Sequence, residues 1–177
     1  MDRTDLARRV YTAAHITGTF TLRSGVVSRE YFDKYLFEAD PVLLRDLAVT
    51  LATLVPSDVV ALAGLELGGV PIATMLSQVT GLAARFVRKQ AKDYGTCRLA
   101  EGGEIEGHRL LIVEDVITSG GAVLDAAREL RTRGAHCGRV LCVIDRESGG
   151  RENLATAGLE LDALFTMSEL KAAGETL

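Results

Sequence analysis

The chain has 177 residues, a net charge of −4, and 47% hydrophobic but only 5% aromatic residues. This length fits one domain with a sizeable core, and the acidic balance argues against nucleic acid as the main partner. Cys97, Cys137 and Cys142 form no CxxC pair, so we expect reduced thiols and a cytoplasmic protein. The sequence shows no signal-peptide core and no apolar run long enough to span a bilayer, so no membrane association is expected.

The first part of the chain is expected to form a helix followed by an extended, hairpin-like segment. Apolar residues recur on one helical face over residues 2–14. Glycines and strand-friendly aromatic residues then favour extended chain over residues 16–37. Asp40 is suited to cap a further helix, with Pro41 at its first position, reaching about Val55.

The rest of the chain alternates short apolar runs with helical patterns. Strands are predicted at about 58–63, 84–87, 110–113, 139–144 and 159–165, and helices at about 70–78, 123–130 and 150–157. This alternation predicts an α/β fold with an open, mainly parallel sheet and helices on both faces, in a single domain over residues 1–177. Residues 88–107 are polar and aperiodic, and a connection of that length indicates a functional lid.

The strand predicted at 110–113 is followed by a pattern suited to a phosphorylated sugar. Glu114 and Asp115 are expected to end this strand, and a turn of Thr118, Ser119, Gly120 and Gly121 leads into the next helix. A helix N-terminus holds phosphate, and adjacent carboxylates accept hydrogen bonds from sugar hydroxyls. A glycine turn alone is common in α/β proteins, so the ordered combination carries the prediction of a ribose-5-phosphate site.

Four polar segments are expected to meet at one edge of the sheet. Open parallel sheets bind ligands at the carboxyl ends of their strands. The segments that follow predicted strands are Gly64–Gly69, Arg88–Tyr94, Glu114–Gly121 and Asp145–Arg146. The sequence therefore predicts one composite site.

Each basic residue near this edge has two possible interpretations. Arg88, Lys89 and Lys92 can neutralise a departing diphosphate, or can be ordinary solvated charges in a loop. The Arg146 guanidinium can hold a carboxylate in a bidentate manner, or can pair with a nearby acid such as Glu147.

Five segments carry a resemblance to a known family. They are FTLRSGVVSREYFD, GLELGGVPIA, VRKQAKDYG, LLIVEDVITSGGAV and VIDRESGG. The VEDVITSGG element is similar to the phosphoribosyl-pyrophosphate (PRPP) motif of type I phosphoribosyltransferases, and the chain as a whole resembles the orotate phosphoribosyltransferases. The resemblance implies Mg²⁺-dependent transfer of ribose 5-phosphate from PRPP to N1 of orotate in de novo pyrimidine (UMP) biosynthesis, giving orotidine 5′-monophosphate and pyrophosphate. A phosphoribosyltransferase for a purine base and a PRPP-sensing regulator are the alternatives.

The resemblance also implies residue roles and an assembly. PRPP would be bound by Arg88, Lys89, Lys92, Tyr94, Glu114, Asp115, Val116, Ile117, Thr118, Ser119, Gly120, Gly121 and Ala122. Orotate would be bound by Arg23, Tyr31, Phe32, Thr118 and Arg146. The catalytic roles would fall to Lys92, Arg88 and Asp115. Mg²⁺ would be held mainly through PRPP, with waters on Asp115 as a further contact and no dedicated metal site.

In this family residues 1–37 would form a hood over the site. Residues 88–107 would be a mobile catalytic loop that reaches the neighbouring subunit of a homodimer. Three positions depart from the pattern of many members. Tyr94 stands where they carry histidine, Arg23 where they carry lysine, and Gly68 where some carry lysine. We expect these departures to affect rates and leaving-group contacts.

Overall fold

The N-terminal part of the chain folds into a helix and a small two-stranded sheet. The computed structural model describes residues 2–21, 25–91 and 98–175. Helix α1 spans Arg3–Ala14 and leads into an antiparallel pair, β1 (His15–Thr21) and β2 (Val27–Phe32). The predicted helix and hairpin-like segment are therefore confirmed.

A short helix then follows where the sequence predicted extended chain. Helix α2 covers Lys34–Ala39, and the Asp33 carboxylate caps it by accepting a hydrogen bond from the Tyr35 backbone N–H at 3.1 Å. Helix α3 (Pro41–Leu51) begins at the predicted cap, Asp40, and ends in a 3₁₀ turn at Ala52–Leu54.

The main sheet has six strands with three helices, α4, α5 and α6, between them in the chain, and helix α7 follows its last strand. In chain order its elements are β3 (Ala61–Leu65), α4 (Gly69–Thr80), β4 (Ala83–Val87), β5 (Ala100–Glu101), β6 (Arg109–Ile117), α5 (Gly121–Thr132), β7 (His136–Asp145), α6 (Gly150–Thr156), β8 (Glu160–Thr166) and α7 (Met167–Glu175). The strand order is β5-β4-β3-β6-β7-β8, and every neighbouring pair is parallel except β4 with β5. The predicted open, mainly parallel α/β sheet is confirmed.

The two faces of this sheet are covered by different helices. Alternate residues of β6 point to opposite sides, so Leu111 and Val113 join one core while Leu110 and Ile112 join the other. Helices α1, α2, α3, α4 and α7 contribute to the first core, and α5 and α6 to the second. No helix in the described ranges is both long enough and apolar enough to cross a bilayer.

Two elements differ from the sequence prediction in ways that bear on the site. Strand β6 does not end at Glu114 but continues to Ile117, because its parallel pairing with β7 persists through Glu114 opposite Cys142 and Ile117 opposite Asp145. The segment predicted as an aperiodic loop contains β5, which pairs with β4 at the edge of the sheet.

Candidate active site

The four polar segments do follow strands that lie side by side. Strands β4, β3, β6 and β7 are adjacent and parallel, so their carboxyl ends lie along one edge of the sheet. The turn after β3, Arg88 after β4, the acid pair of β6 and Arg146 after β7 therefore share that edge. This is where open parallel sheets bind ligands.

The acid pair of β6 is buried and forms its own hydrogen-bond network. Asp115 has no exposed surface, and its Oδ1 accepts a hydrogen bond from the Val116 backbone N–H at 2.5 Å. The Oε1 of Glu114 accepts one from the Asp115 N–H at 3.0 Å. The Nζ of Lys34, from α2, lies 2.6 Å from Asp115 Oδ2.

These contacts set opposite protonation states on the two acids. Burial, and then a hydrogen bond with Asp115, raises the pKa of Glu114 to about 9. Burial also disfavours the charge on Asp115, but hydrogen bonds from Glu114, Glu38 and Lys34 outweigh it and hold the pKa of Asp115 below its usual value. Glu38 is also neutral near pH 7, because burial and then Asp115 raise its pKa to about 9. Burial thus disfavours further negative charge in this cluster beside the pair formed by Asp115 and the Lys34 ammonium.

The turn after β6 presents backbone N–H groups at the start of α5. Gly120 has a φ of 79°, a left-handed conformation that favours glycine, and no described side chain caps this helix. Thr118, Ser119, Gly121 and Ala122 are exposed, whereas Val116 is half-buried and Ile117 buried in the strand. Uncapped N–H groups, two hydroxyls and the positive end of a helix dipole form a suitable phosphate cradle.

The turn after β3 packs closely against the acid pair. A Cβ on Gly68 would overlap the Asp115 carboxylate, and one on Gly69 would overlap the Val113 carbonyl oxygen. The Glu66–Leu67 peptide bond is cis. Glycine is required at both positions because the backbone of the turn lies directly against β6, next to Asp115.

Part of the basic cluster lies at the carboxyl end of β4. The Arg88 N–H donates to the Leu99 carbonyl at 2.9 Å, and its Nε lies 3.5 Å from Glu101 Oε1. The exposed Lys89 donates its backbone N–H to Glu66 Oε1 at 2.5 Å, which ties this segment to the turn after β3. Lys92 and Tyr94 lie outside the described residues.

Three of the residues predicted to bind orotate line one cavity. Tyr31, Phe32 and Arg146 border a cavity of about 250 Å³ between the small sheet and the end of β7. Thr118 does not line it, and Arg23 lies outside the described residues. The cavity brings two aromatic side chains and one guanidinium together, as recognition of a planar acid requires.

Arg146 is held in place through its backbone, which leaves its side chain available. Its N–H donates to the Ile117 carbonyl at 2.9 Å, and the neighbouring Asp145 Oδ1 accepts from the Glu147 N–H at 2.9 Å. Glu147 accepts from the Ser168 N–H at 2.8 Å, and no described carboxylate pairs with the Arg146 guanidinium. The alternative reading, an ion pair between Arg146 and Glu147, is therefore wrong.

Comparisons with known proteins agree with this arrangement. The model of the phosphoribosyl transferase domain family matches residues 43–162. An orotate phosphoribosyltransferase of Nocardioides sp. is 54% identical over 170 residues, which cover 96% of this chain and 95% of that protein. The chain belongs to the orotate phosphoribosyltransferase family.

Solved structures of this family share the fold over nearly the whole chain. A crystal structure of Mycobacterium tuberculosis H37Rv orotate phosphoribosyltransferase has a TM-score of 0.88 at 31% identity and covers 96% of this chain and 99% of that one. Another structure of that enzyme, in complex with PRPP, has a TM-score of 0.82 at 28% identity, covering 97% and 99%. The family resemblance, the type I phosphoribosyltransferase fold and the class of enzyme, a pentosyltransferase, are confirmed.

Sequence reasoning missed two residues beside the site of this family member. From α2, Lys34 contacts Asp115 and the buried Glu38 interacts with it electrostatically. This helix was not predicted because Tyr31 and Phe32 favour a strand. The signal in the sequence is Asp33, a suitable N-cap, followed by Lys34 and Glu38 four residues apart.

The described residues offer no protein cage for a metal. They contain no group of three or more His, Cys, Asp or Glu side chains suited to hold an ion. Asp115 Oδ2 faces the Lys34 ammonium, whereas Glu114 retains a little exposed surface. These donors fit an ion that is brought and held chiefly by a phosphorylated ligand.

Proposed function

We propose that this chain performs the orotate phosphoribosyltransferase reaction at the edge formed by the carboxyl ends of β4, β3, β6 and β7. Ribose 5-phosphate passes from PRPP to N1 of orotate, giving orotidine 5′-monophosphate and pyrophosphate, a step of pyrimidine (UMP) biosynthesis. The observation that carries the proposal is that the start of α5, the acid pair of β6 and Arg146 after β7 share this edge, and that no carboxylate in the described part of the chain pairs with the Arg146 guanidinium.

PRPP is proposed to lie along β6 and the start of α5. Its 5′-phosphate is held by the backbone and hydroxyl groups of Thr118–Ala122, and its ribose hydroxyls by Glu114 and Asp115. Val116 and Ile117 are the strand residues between the acid pair and the phosphate-binding turn, and they set the distance between those two parts of the site. The C1′ atom then points toward the cavity that Arg146 borders.

The diphosphate is proposed to lie between the turn after β3 and the basic residues after β4. The bond from C1′ to the diphosphate oxygen breaks and an oxocarbenium-like sugar forms. N1 of orotate attacks from the opposite face and gives up its proton to the departing diphosphate or to water. Arg88, Lys89 and Lys92 neutralise the charge that develops on the leaving group, and Tyr94 lies in the same loop. The roles of Lys92 and Tyr94 rest on the sequence alone.

Orotate is proposed to bind in the 250 Å³ cavity. Arg146 pairs with its carboxylate, while Tyr31 and Phe32 contact the flat ring. From the sequence pattern alone, Arg23 and Thr118 are proposed to make the remaining contacts with orotate. A neutral purine offers no carboxylate for Arg146, which disfavours that alternative, and both relatives described above are orotate enzymes.

Mg²⁺ is proposed as the cofactor; it would be held mainly through PRPP, with Asp115 and Glu114 as the residues that would contact it through waters. When bound, it would neutralise diphosphate charge and orient the leaving group.

The test is an assay of purified protein with PRPP, Mg²⁺ and orotate, in which orotate loss and pyrophosphate release are followed together. We expect equal amounts of both, and no pyrophosphate when adenine, guanine or hypoxanthine replaces orotate. Turnover with a purine but not with orotate would overturn the substrate assignment. PRPP binding with no turnover on any base would favour the PRPP-sensing regulator.

We also propose a homodimer in which the loop of one subunit serves its neighbour's site. Subunit interfaces often bury apolar side chains, and Leu67 is an exposed apolar side chain near the site. Lys92→Ala and Asp115→Asn chains should each be nearly inactive. Mixed and allowed to exchange, they should regain activity, because one of the two sites in a heterodimer then has both residues. No recovery despite exchange shown by mass spectrometry would place the loop in its own subunit's site.

A cytoplasmic location is proposed as well. The two described cysteines, Cys137 and Cys142, are buried free thiols, as expected in a reducing compartment.

A further inference from the structure

Helix α2 places two ionisable side chains, Lys34 and Glu38, next to Asp115. Lys34 and Glu38 are four residues apart, so they lie on the same face of the helix. The Lys34 ammonium is 2.6 Å from Asp115 Oδ2, and its side chain keeps 34% of its surface exposed. Glu38 is only 6% exposed, beside the same carboxylate. The small N-terminal part of the chain thus reaches the centre of the main sheet's carboxyl edge.

Glu38 has an unusual environment for a buried acid. Among the described residues, no N–H or hydroxyl group donates a hydrogen bond to either of its carboxyl oxygens. A buried polar atom without a partner costs free energy, so groups of this kind normally find one. The neighbour available to Glu38 is another carboxyl group, that of Asp115. A hydrogen bond between two carboxyl groups needs a proton on one of them. Asp115 faces the Lys34 ammonium and the Val116 N–H, whereas Glu38 has no described donor, so Glu38 is the one suited to carry the proton.

Asp115 is consequently held from several sides. Glu38 and Lys34 approach from α2, the Val116 N–H donates to Oδ1, and the backbone of Gly68 closes against Oδ2. A carboxylate fixed in this way loses little further freedom when it binds a ligand, which is what a preorganised site requires.

We propose that Lys34 and Glu38 are positioning residues of the phosphoribosyl site, which fix the Asp115 carboxylate beside Glu114 for the ribose diol. This inference rests on the proposed function, since it needs PRPP to bind at Asp115. Lys34 is the more exposed of the two, so it is also the group that can move aside when a sugar hydroxyl reaches Oδ2. Its ammonium then stays next to the anionic substrate.

The alternative is that Lys34 and Glu38 only stabilise the fold by joining α2 to β6. The two ideas differ in what a substitution changes. A stabilising contact alters the melting temperature and leaves substrate binding by the folded protein intact. A positioning contact alters the affinity for PRPP and kcat/KM for PRPP, with a smaller effect on KM for orotate.

The experiment compares Glu38→Gln, Glu38→Met and Lys34→Met with the unchanged protein. PRPP affinity is measured by calorimetry without orotate, kcat and KM are measured for both substrates, and melting temperatures are recorded. The Gln side chain has the shape of Glu and always carries N–H donors, so Glu38→Gln should stay within about 3-fold of the unchanged protein. Glu38→Met has similar volume but no donor, and should lower kcat/KM for PRPP by about 10-fold or more.

Lys34→Met keeps the stem and removes the ammonium, which leaves the buried Asp115 carboxylate without its cation, so PRPP binding is compared only for protein shown to be folded by its melting curve. It should weaken PRPP binding by about 10-fold. The matched control is Glu160→Met, since Glu160 also pairs with a cation, Arg139 at 3.3 Å, but at the opposite edge of the sheet. This control should leave PRPP binding unchanged.

Three results would overturn the positioning role. One is unchanged PRPP affinity in Glu38→Met with only a lower melting temperature, and another is a Glu38→Gln variant as weak as Glu38→Met. The third is tighter PRPP binding in Lys34→Met, which would mean that Lys34 hinders the binding of PRPP at Asp115. If the unchanged protein does not bind PRPP in calorimetry, the proposed function itself fails, and that outcome is distinct from these three.

Discussion

Single residues around Asp115 determine the shape of the diol-binding end of the site. Gly68 is the clearest case, because its φ of −66° suits any residue and only space forbids a side chain there. The sequence showed that Gly68 departs from some relatives, but not that it packs on Asp115. That contact depends on a turn and a strand that are 47 residues apart.

We predict that Gly68→Ala damages function more than stability. The new methyl group would push the Asp115 carboxylate away from Lys34 and Glu38, and overpacking of this kind costs about 1–3 kcal/mol. kcat/KM for PRPP should fall by about 5-fold to 100-fold. Gly138→Ala is the matched control, because a Cβ at Gly138 meets no atom within 4 Å. Equal activity of the two variants would contradict the packing argument.

Arg146 should act on orotate rather than on PRPP. A charge-assisted pair with a carboxylate contributes about 1.5–3 kcal/mol, so Arg146→Ala should raise KM for orotate by about 10-fold to 100-fold. PRPP affinity, measured by calorimetry, should change little. The control is Arg128→Ala, an exposed arginine of α5 that pairs with Asp125 at 2.7 Å. Loss of PRPP affinity in Arg146→Ala would place this guanidinium at the phosphates instead.

Most elements, but not their ends, followed from local sequence patterns. The helix at Arg3–Ala14, the cap at Asp40 and the βα alternation were predicted because capping and periodicity are local signals. Helix α2 was missed because Tyr31 and Phe32, just before it, favour a strand, and because the exposed Tyr35 and Leu36 leave the helix without a clear apolar face. Strand β6 was predicted too short because its pairing with β7 continues through Ile117, a tertiary contact that no local pattern reveals.

The cap of α3 offers a test at the scale of one element. Asp40 Oδ1 accepts hydrogen bonds from the Val42 and Leu43 N–H groups at 2.9 and 3.0 Å. Asp40→Ala should therefore lower the free energy of unfolding by about 1 kcal/mol, whereas Asp40→Asn keeps an acceptor and should lose less. Urea unfolding of both variants measures this difference. An Asn variant as unstable as the Ala variant would mean that charge, not the cap, is what stabilises α3.

For the molecule as a whole, the buried acids link stability to pH. Glu38 and Glu114 have pKa values of about 9 in the folded chain and an ordinary value of 4.5. Between these values the folded state binds more protons than the unfolded one. The contribution of these two acids to the free energy of unfolding is therefore fully present below about pH 4.5 and is lost as pH rises toward 9.

We therefore predict that the free energy of unfolding falls as pH rises from about 5.5 to about 8.5. Glu38→Gln should make this decline shallower, and urea unfolding across the range measures it. Glu160→Gln, an exposed control, should keep the original slope. A slope unaffected by Glu38→Gln would show that Glu38 titrates normally.

The pairing of β5 with β4 limits where the first basic residues after β4 can act. The hydrogen bond from the Arg88 backbone N–H to the Leu99 carbonyl, 2.9 Å long, fixes Arg88 against the edge of the sheet. Lys89 follows directly, and its backbone N–H donates to Glu66 Oε1 at 2.5 Å. Arg88 and Lys89 are thus kept at a high effective concentration around the end of β4. In a homodimer, a neighbouring subunit's diphosphate would have to lie beside the end of β4 to be neutralised by these two residues.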